Sequence, residues 1–336
     1  MSPSSHMPRL LAPLVAIAVA AVGAAAVPAA HATFAGERGP FAFQRLADPN
    51  DEGSAQVFTV EARGARPRQL TSSAGGSFAP DYSPDGQQIA FERGFTDGSP
   101  SQLYTINADG SDPLAVSTSC ADRCLGDGAP AWAPNGDQLV FERAFRPIID
   151  DNASALDLVV ANADGTGEQL VHHFLPLEGE GREAHDAQWS PDGQRLAVNL
   201  LNITAKPEFG SAIYTLDPDG TDLRRITPRR LNAGNPDWSP NGKRIVFNSS
   251  YEAQAAVEIY TVRPDGSELR RLRREPERSY SFEPVWSPNG RRVAFVHGAG
   301  RNSPHIWTMR KNGTRLRQVT HGRLPDLRPD WGTPPR

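Results

Sequence analysis

Three oxygen-bearing side chains recur at one spacing in the second half of the sequence. Asp186, Asn235 and Glu283 each stand three residues before a tryptophan, and Arg328 occupies the same position before the last one. Carboxylate and amide oxygens are ligands for hard divalent cations such as calcium. Their convergence would therefore create a metal site. The alternative is that these side chains hydrogen-bond to the backbone of neighbouring loops.

A second candidate set lies where short apolar segments end in polar residues. Its members are Arg45, Glu92, Arg93, Glu142, Arg143 and His297. If the segments are neighbouring strands, these side chains would ring the mouth of a channel and contact a binding partner. The alternative is that pairs such as Glu92 and Arg143 only compensate each other.

The cysteines and histidines offer weaker signals. Cys120 and Cys124 predict a local disulfide in an oxidising compartment, whereas their short separation leaves two free thiols as the alternative. His172, His173 and His185 could suggest a metal, but their spacing fits no strand or helix register and favours solvated loop histidines. We assign no catalytic residue, because the string at 75–79 ends in alanine and departs from a serine-hydrolase nucleophile elbow.

These residues are embedded in one repeated unit. A Pro-x-aromatic-Ser-Pro-Asp/Asn-Gly phrase begins at Pro80 and returns, with variations, at Pro130, Ala187, Pro236 and Pro284, and it is truncated at Pro329. The period is about 50 residues. An apolar strand follows each phrase, then a variable loop, a third strand, a second tight turn and a short fourth strand. Asp-Gly and Asn-Gly pairs are typical of hairpin turns, so each unit predicts four antiparallel strands.

Four-stranded units in series stack around an axis as propeller blades. Segments 41–45, 56–60 and 68–71 match second, third and fourth strands, and the phrase at 329–331 supplies a first strand. The sequence therefore predicts an all-β, six-bladed propeller with one blade closed by both ends of the chain. Within each blade, the first and third connections between strands are tight turns, and they lie on one face of the propeller. The second connections and the links between blades are long and lie on the other face, so binding is expected on this long-loop face.

The repeated phrase, the apolar-Ala-Phe strand, Ile-Tyr, Asp-Gly and Leu-Thr resemble the TolB-type, WD-repeat-like propeller family over about residues 40–332. The resemblance covers the propeller alone, without the α/β domain that precedes it in TolB. Lactonase-like six-bladed propellers hold a metal in their channel, and this analogy implies a metal-dependent hydrolase as the alternative function.

Composition and the first residues bear on location. Residues 1–32 contain Arg9, an apolar stretch over 10–27 and Ala30-His31-Ala32, which predict a cleaved signal peptide; a retained membrane helix is the alternative. Residues 33–336 would then form a single propeller domain in a bacterial secreted or cell-envelope protein. A net charge of −4 disfavours nucleic acid as a partner.

The sequence thus predicts an exported, non-catalytic module that binds a protein or cell-envelope component through its long-loop face. We expect a monomer with no membrane span after cleavage. No cofactor is expected, apart from a possible divalent cation such as calcium at Asp186, Asn235 and Glu283.

Overall fold

The computed structural model describes residues 35–116, 120, 124–145, 155–174, 182–202, 210–250, 256–276, 278–300 and 302–335. These residues form six four-stranded antiparallel sheets and one short 3-10 helix, Arg229–Leu231. The prediction of an all-β, six-bladed propeller is confirmed. The predicted signal peptide lies outside the described residues. No helix within these residues is both long and apolar enough to cross a membrane.

The closing blade joins the two ends of the described chain. Its strands run in the order β24-β1-β2-β3, with bounds β1 Phe41–Asp48, β2 Asp51–Val60, β3 Arg68–Gln69 and β24 Asp326–Trp331.

The other blades each use four consecutive strands. Blade 1 comprises β4 Ser77–Tyr82, β5 Gln88–Arg93, β6 Gln102–Asn107 and β7 Leu114–Ala115. Blade 2 comprises β8 Cys124–Trp132, β9 Gln138–Phe145, β10 Ala155–Asn162 and β11 Gln169–Phe174. Blade 3 comprises β12 Arg182–Trp189, β13 Leu196–Asn202, β14 Gly210–Leu216 and β15 Arg224–Arg225. Blade 4 comprises β16 Ala233–Trp238, β17 Ile245–Ser249, β18 Glu258–Val262 and β19 Arg270–Arg271. Blade 5 comprises β20 Ser279–Trp286, β21 Arg292–Ala299, β22 His305–Arg310 and β23 Arg317–Gln318.

In the five blades built from consecutive strands, the first hairpin turn carries a glycine with positive φ: Gly86, Gly136, Gly193, Gly242 and Gly290. In blade 1, Gly86 has φ +71° and donates its N–H to the Ser83 carbonyl at 2.9 Å. A Cβ on Gly86 would also lie 2.3 Å from the Thr333 carbonyl oxygen. Backbone conformation and close packing both therefore require glycine here.

Buried aromatic residues hold neighbouring blades together. The second strands contribute a fully or almost fully buried phenylalanine in five blades: Phe43, Phe91, Phe141, Phe247 and Phe295. In the closing blade, Trp331 is 3% exposed, lies 4.4 Å from Phe41 between ring centroids, and donates Nε1–H to the Gly39 carbonyl. The ring is therefore closed by side-chain packing as well as by the β1–β24 pairing.

Candidate binding channel

The first strand of every blade carries a bulge beside the propeller axis. The residue three before the anchor aromatic adopts a left-handed conformation in all six blades, with φ between 46° and 56°: Ala79, Ala129, Asp186, Asn235, Glu283 and Arg328. The strand register shifts at the same place in each blade. Bulges re-aim side chains, and these six residues all line one central cavity.

Side chains from the preceding blade support these strained residues. Gln44 accepts the N–H of Ala79 at 3.1 Å, Glu142 accepts that of Asp186 at 2.6 Å, and Asn248 accepts that of Glu283 at 3.1 Å. Glu92 accepts the N–H of Ala129 in the same way. The second strands thus fix four of the six bulges through a carboxylate or an amide oxygen.

The sixth bulge is held differently, because Val296 stands where the other blades have a polar residue. Here the Glu283 carboxylate accepts the Arg328 N–H instead, at 2.6 Å. Its other oxygen lies 3.3 Å from Nε of Arg328, whose Nη1 also donates to Asp186. Asn235 donates from Nδ2 to Asp186 at 2.9 Å. The attraction of Asp186, with that of Glu283, raises the pKa of Arg328, so the guanidinium stays charged.

This arrangement does not fit a divalent cation. The Arg328 guanidinium already supplies the positive charge between the carboxylates of Asp186 and Glu283. Asn235 turns its donor nitrogen, rather than its oxygen, toward Asp186. A hard cation needs converging oxygens without a competing cation. We therefore derive no chemical step through a metal at these residues.

The cavity has two parts along the axis. On the long-loop face it opens to about 810 Å³; we call this part the funnel, with Glu92, Glu142, Asp186, Asn235, Glu283 and Arg328 in its wall. Leu46, Phe78, Leu125 and Leu156 add apolar surface to it. Burial is the largest influence on the Glu92 carboxyl and raises its pKa, as it does for Glu283.

Toward the hairpin-turn face the channel narrows to a waist with a volume of about 80 Å³. Three aspartates directly before an anchor aromatic line it: Asp81, Asp237 and Asp330. They accept the N–H of Trp132 at 2.7 Å, of Trp286 at 2.6 Å and of Tyr82 at 2.9 Å, which links successive blades. Burial raises the pKa of Asp81, and it raises that of Asp330 to about 6.

The structure divides the six residues predicted at the channel mouth. Glu92 and Glu142 line the funnel, whereas Arg45, Arg93, Arg143 and His297 are not among the described residues that line it. Successive strand residues point to opposite faces, so each arginine turns away from the glutamate or glutamine before it.

The four side chains that do not line the funnel contact residues of their own blades. Arg143 contacts Asp127 at 2.7 Å and Glu168 at 2.9 Å, and Arg45 contacts Asp326 at 2.6 Å. The Arg93 guanidinium lies 5.0 Å from the Tyr104 ring centre. His297 lies 3.0 Å from the Ser281 hydroxyl, and burial lowers its pKa. In this structure these four side chains thus contact residues of their own blades, and Arg143 pairs with Asp127 rather than with Glu92.

Cys120 and Cys124 are joined in a disulfide, with Cα atoms 5.5 Å apart. Asp127 lies close to both sulfurs, but bonded sulfurs provide no thiolate for a metal. His172 and His173 lie in strand β11 rather than in a loop, and His173 contacts Asp157 on β10. His185 lines the funnel 3.3 Å from Glu142. Parts of the long connections, 146–154, 175–181 and 203–209, lie outside the described residues.

Sequence reasoning missed the waist aspartates and the buried partners of the arginines. The waist had a signal, since Pro-Asp-aromatic recurs at 80–82, 236–238 and 329–331. Asp127 and Asp326 had a signal too, since each stands five residues before its anchor aromatic, Trp132 and Trp331.

Comparison with known proteins agrees with this architecture. Residues 181–333 match the family model of the TolB beta propeller domain. The structure is similar to that of TolB from Acinetobacter baumannii, with 16% identity and a TM-score of 0.67 over 88% of this chain and 67% of that one. It is also similar to a putative TolB from Agrobacterium tumefaciens, with 23% identity and a TM-score of 0.60 over 89% of this chain and 93% of that one.

One curated relative is a peptidase. Dipeptidyl-peptidase 5 from Porphyromonas endodontalis is 31% identical over 105 residues, which are 31% of this chain. The match spans only 13% of that protein's length.

Proposed function

We propose that this chain, a six-bladed β-propeller whose residues 181–333 match the TolB beta propeller domain, is a non-catalytic module that binds a protein or cell-envelope component through the funnel. The observation that carries the proposal is the composition of the funnel. Among the described residues, four carboxylates, those of Glu92, Glu142, Asp186 and Glu283, share its wall with one guanidinium, that of Arg328.

The chemistry of the funnel favours a cationic group on the partner. Arg328 compensates Asp186 and Glu283, so that among the described residues of the wall Glu92 and Glu142 are the carboxylates without an arginine contact. Leu46 and Leu125 add apolar surface. A lysine or arginine flanked by apolar residues would pair with the glutamates and bury its neighbours against these leucines.

Export is part of the proposal. The apolar stretch over 10–27 and the Ala30-His31-Ala32 site support it. The Cys120–Cys124 disulfide also supports it, since such bonds persist in oxidising compartments.

The test uses a double variant that removes charge and keeps the fold. In Glu92→Gln with Glu142→Gln, the amide oxygens can still accept the N–H groups of the next blade, as Gln44 and Asn248 already do in their blades. Residues 33–336 are immobilised, partners are captured from solubilised cell envelope and identified by mass spectrometry, and the affinity of each purified partner is measured.

We expect the double variant to weaken binding about tenfold, because two charge-assisted contacts are lost. Ser111→Ala with Ser267→Ala, in hairpin turns on the opposite face, serves as the control and should bind normally. Unchanged affinity in the glutamine variant, or lost affinity in the control, would refute the funnel as the binding site.

A further inference from the structure

The hairpin-turn face carries an uneven charge. In blade 5 the two turns, 287–292 and 310–315, contain five basic residues and no acidic one: Arg291, Arg292, Arg310, Lys311 and Arg315. The corresponding turns of blade 3, 190–195 and 217–222, contain four aspartates and one arginine. Blade 5 therefore forms a basic pole on a face whose other turns are mixed or acidic.

One arginine occupies the same place in three blades and allows a direct comparison. In blade 3, Arg195 donates from Nη2 to the Thr215 hydroxyl at 3.2 Å and to the carbonyl of Asp222 at 2.9 Å. In blade 5, Arg292 donates from Nη2 to the Thr308 hydroxyl and to the carbonyl of Arg315, both at 3.2 Å. The two guanidinium groups are held alike.

Their charge partners differ. The Asp222 carboxylate contacts Nη1 of Arg195 at 2.6 Å, and Glu268 contacts Arg244 in the same way in blade 4. Arg315 replaces this acid in blade 5 with the same left-handed backbone, φ 60° against 52° in Asp222. Arg292 has no ion pair with any of the described residues.

Further cations surround this guanidinium. Arg292 lies in a cleft of about 450 Å³ with Arg38, Arg291, Arg310 and Lys311, which we call the basic cleft. Arg38 arrives from the segment before β1, where Gly36 donates to the Pro288 carbonyl at 3.3 Å. Burial, and then repulsion from Arg38, lowers the pKa of Arg292. Like charges held together in this way favour the binding of a counter-anion.

We propose that the basic cleft is an anion-binding site for a phosphate group, on the face opposite the funnel. The phosphate oxygens would take the place that the Asp222 carboxylate has in blade 3. A phosphate can bridge several cations at once, and guanidinium groups bind it through paired hydrogen bonds. The Asn289 and Asn312 amides lie at the same cleft and can donate to its remaining oxygens. The phosphate could be free or belong to a lipid headgroup.

The test restores the arrangement of blade 3. Arg315→Asp places a carboxylate where Asp222 stands, so that it neutralises Arg292 from within the chain. Arg225→Asp makes the same change of charge at an exposed arginine of β15 and is the matched control. Binding of inorganic phosphate and of pyrophosphate is measured by calorimetry at low salt, and binding to phosphatidylglycerol vesicles by co-sedimentation.

We expect the wild type and the control to bind pyrophosphate, and the affinity of Arg315→Asp to fall at least about tenfold while its melting temperature is retained. Vesicle binding that Arg315→Asp abolishes would identify a lipid headgroup as the source, and binding of soluble anions alone would identify free phosphate. The proposal is overturned if the wild type binds none of these probes, or if Arg315→Asp and Arg225→Asp behave alike. Self-association that Arg315→Asp abolishes, without phosphate binding, would assign the cleft to a carboxylate of a second copy and overturn it as well.

Discussion

The guanidinium of Arg143 donates from Nε and Nη2 to the two carboxylate oxygens of Asp127, at 2.7 and 3.0 Å. The Asp127 side chain has no exposed surface, and that of Arg143 is 13% exposed. The two residues face each other across β8 and β9. A bidentate pair in this setting stabilises the blade, because burial without a partner would leave the carboxylate uncompensated.

Arg143→Ala should therefore destabilise the protein by about 3 kcal/mol or more, the usual cost when one member of a buried pair is removed. Denaturant unfolding at neutral pH measures this loss. Arg93→Ala is the control: the described ion pairs include none for Arg93, which contacts the Tyr104 ring instead. Equal stability losses in the two variants would contradict the role assigned to Asp127.

Calcium should not stabilise the wild-type protein, because Arg328 holds the carboxylates of Asp186 and Glu283. Arg328→Met removes the competing cation and leaves oxygen ligands facing the channel. We expect this variant to gain a rise in melting temperature with added calcium, and we expect Arg328→Met with Asp186→Asn to lose it again. Calcium-dependent stabilisation of the wild type would instead support the metal site predicted from the sequence.

The waist should make stability depend on pH. The pKa of Asp330 rises from 3.8 in the unfolded chain to about 6 in the folded protein, chiefly through burial. Between these values the folded protein retains a proton that the unfolded chain has released. The free energy of unfolding should therefore fall as the pH rises from about 4 to 6, and remain lowered above that window.

Asp330→Asn tests this dependence. The amide oxygen can still accept the N–H of Tyr82, but it carries no charge. We expect the variant to be more stable than the wild type at pH 7.5 by roughly 1 kcal/mol or more, and to show a weaker dependence between pH 4 and 6 than the wild type. Asp330→Ala, which also loses the hydrogen bond, should show no such gain. A wild-type stability that rises with pH through this window would contradict the shifted pKa.

The fold could be predicted from the sequence because its signals are local and repeated. The Asp-Gly and Asn-Gly turns, the apolar strand after each and the anchor aromatics recur at the same offsets, so Trp331 identified the strand that closes the ring. The common position of Asp186, Asn235 and Glu283 also followed from this alignment.

The contacts of the site could not be predicted, because they depend on which way each side chain points. A bulge and a left-handed backbone conformation bring Arg328 between Asp186 and Glu283. The spacing of these residues in the sequence does not predict that contact. Strand alternation sends Glu142 into the funnel and Arg143 into the blade, although the two are adjacent in sequence.

The disulfide should be present in the purified protein. Without reduction, Cys120 and Cys124 should resist alkylation, and both should react after reduction. Cys120→Ser with Cys124→Ser should lower the free energy of unfolding by roughly 2 kcal/mol, since the loop that the bond closes is short. Two reactive thiols in protein purified from the periplasm or medium would show that the bridge does not form there.

Closure of the ring should make the last strand essential to the whole domain. Deletion of residues 327–336 removes Trp331 and most of β24, so that β1 loses its partner and Phe41 is exposed. An open propeller presents an unpaired strand edge and loses contacts between blades on both sides of the gap. We expect a large fall in melting temperature, measured by circular dichroism, with loss of a single cooperative transition. Trp331→Phe is the matched control: it keeps the strand and loses mainly the hydrogen bond to Gly39, and should cost about 1 kcal/mol. If the deletion melts like the wild type, the ring does not depend on β24 and the closure assigned to Trp331 is wrong.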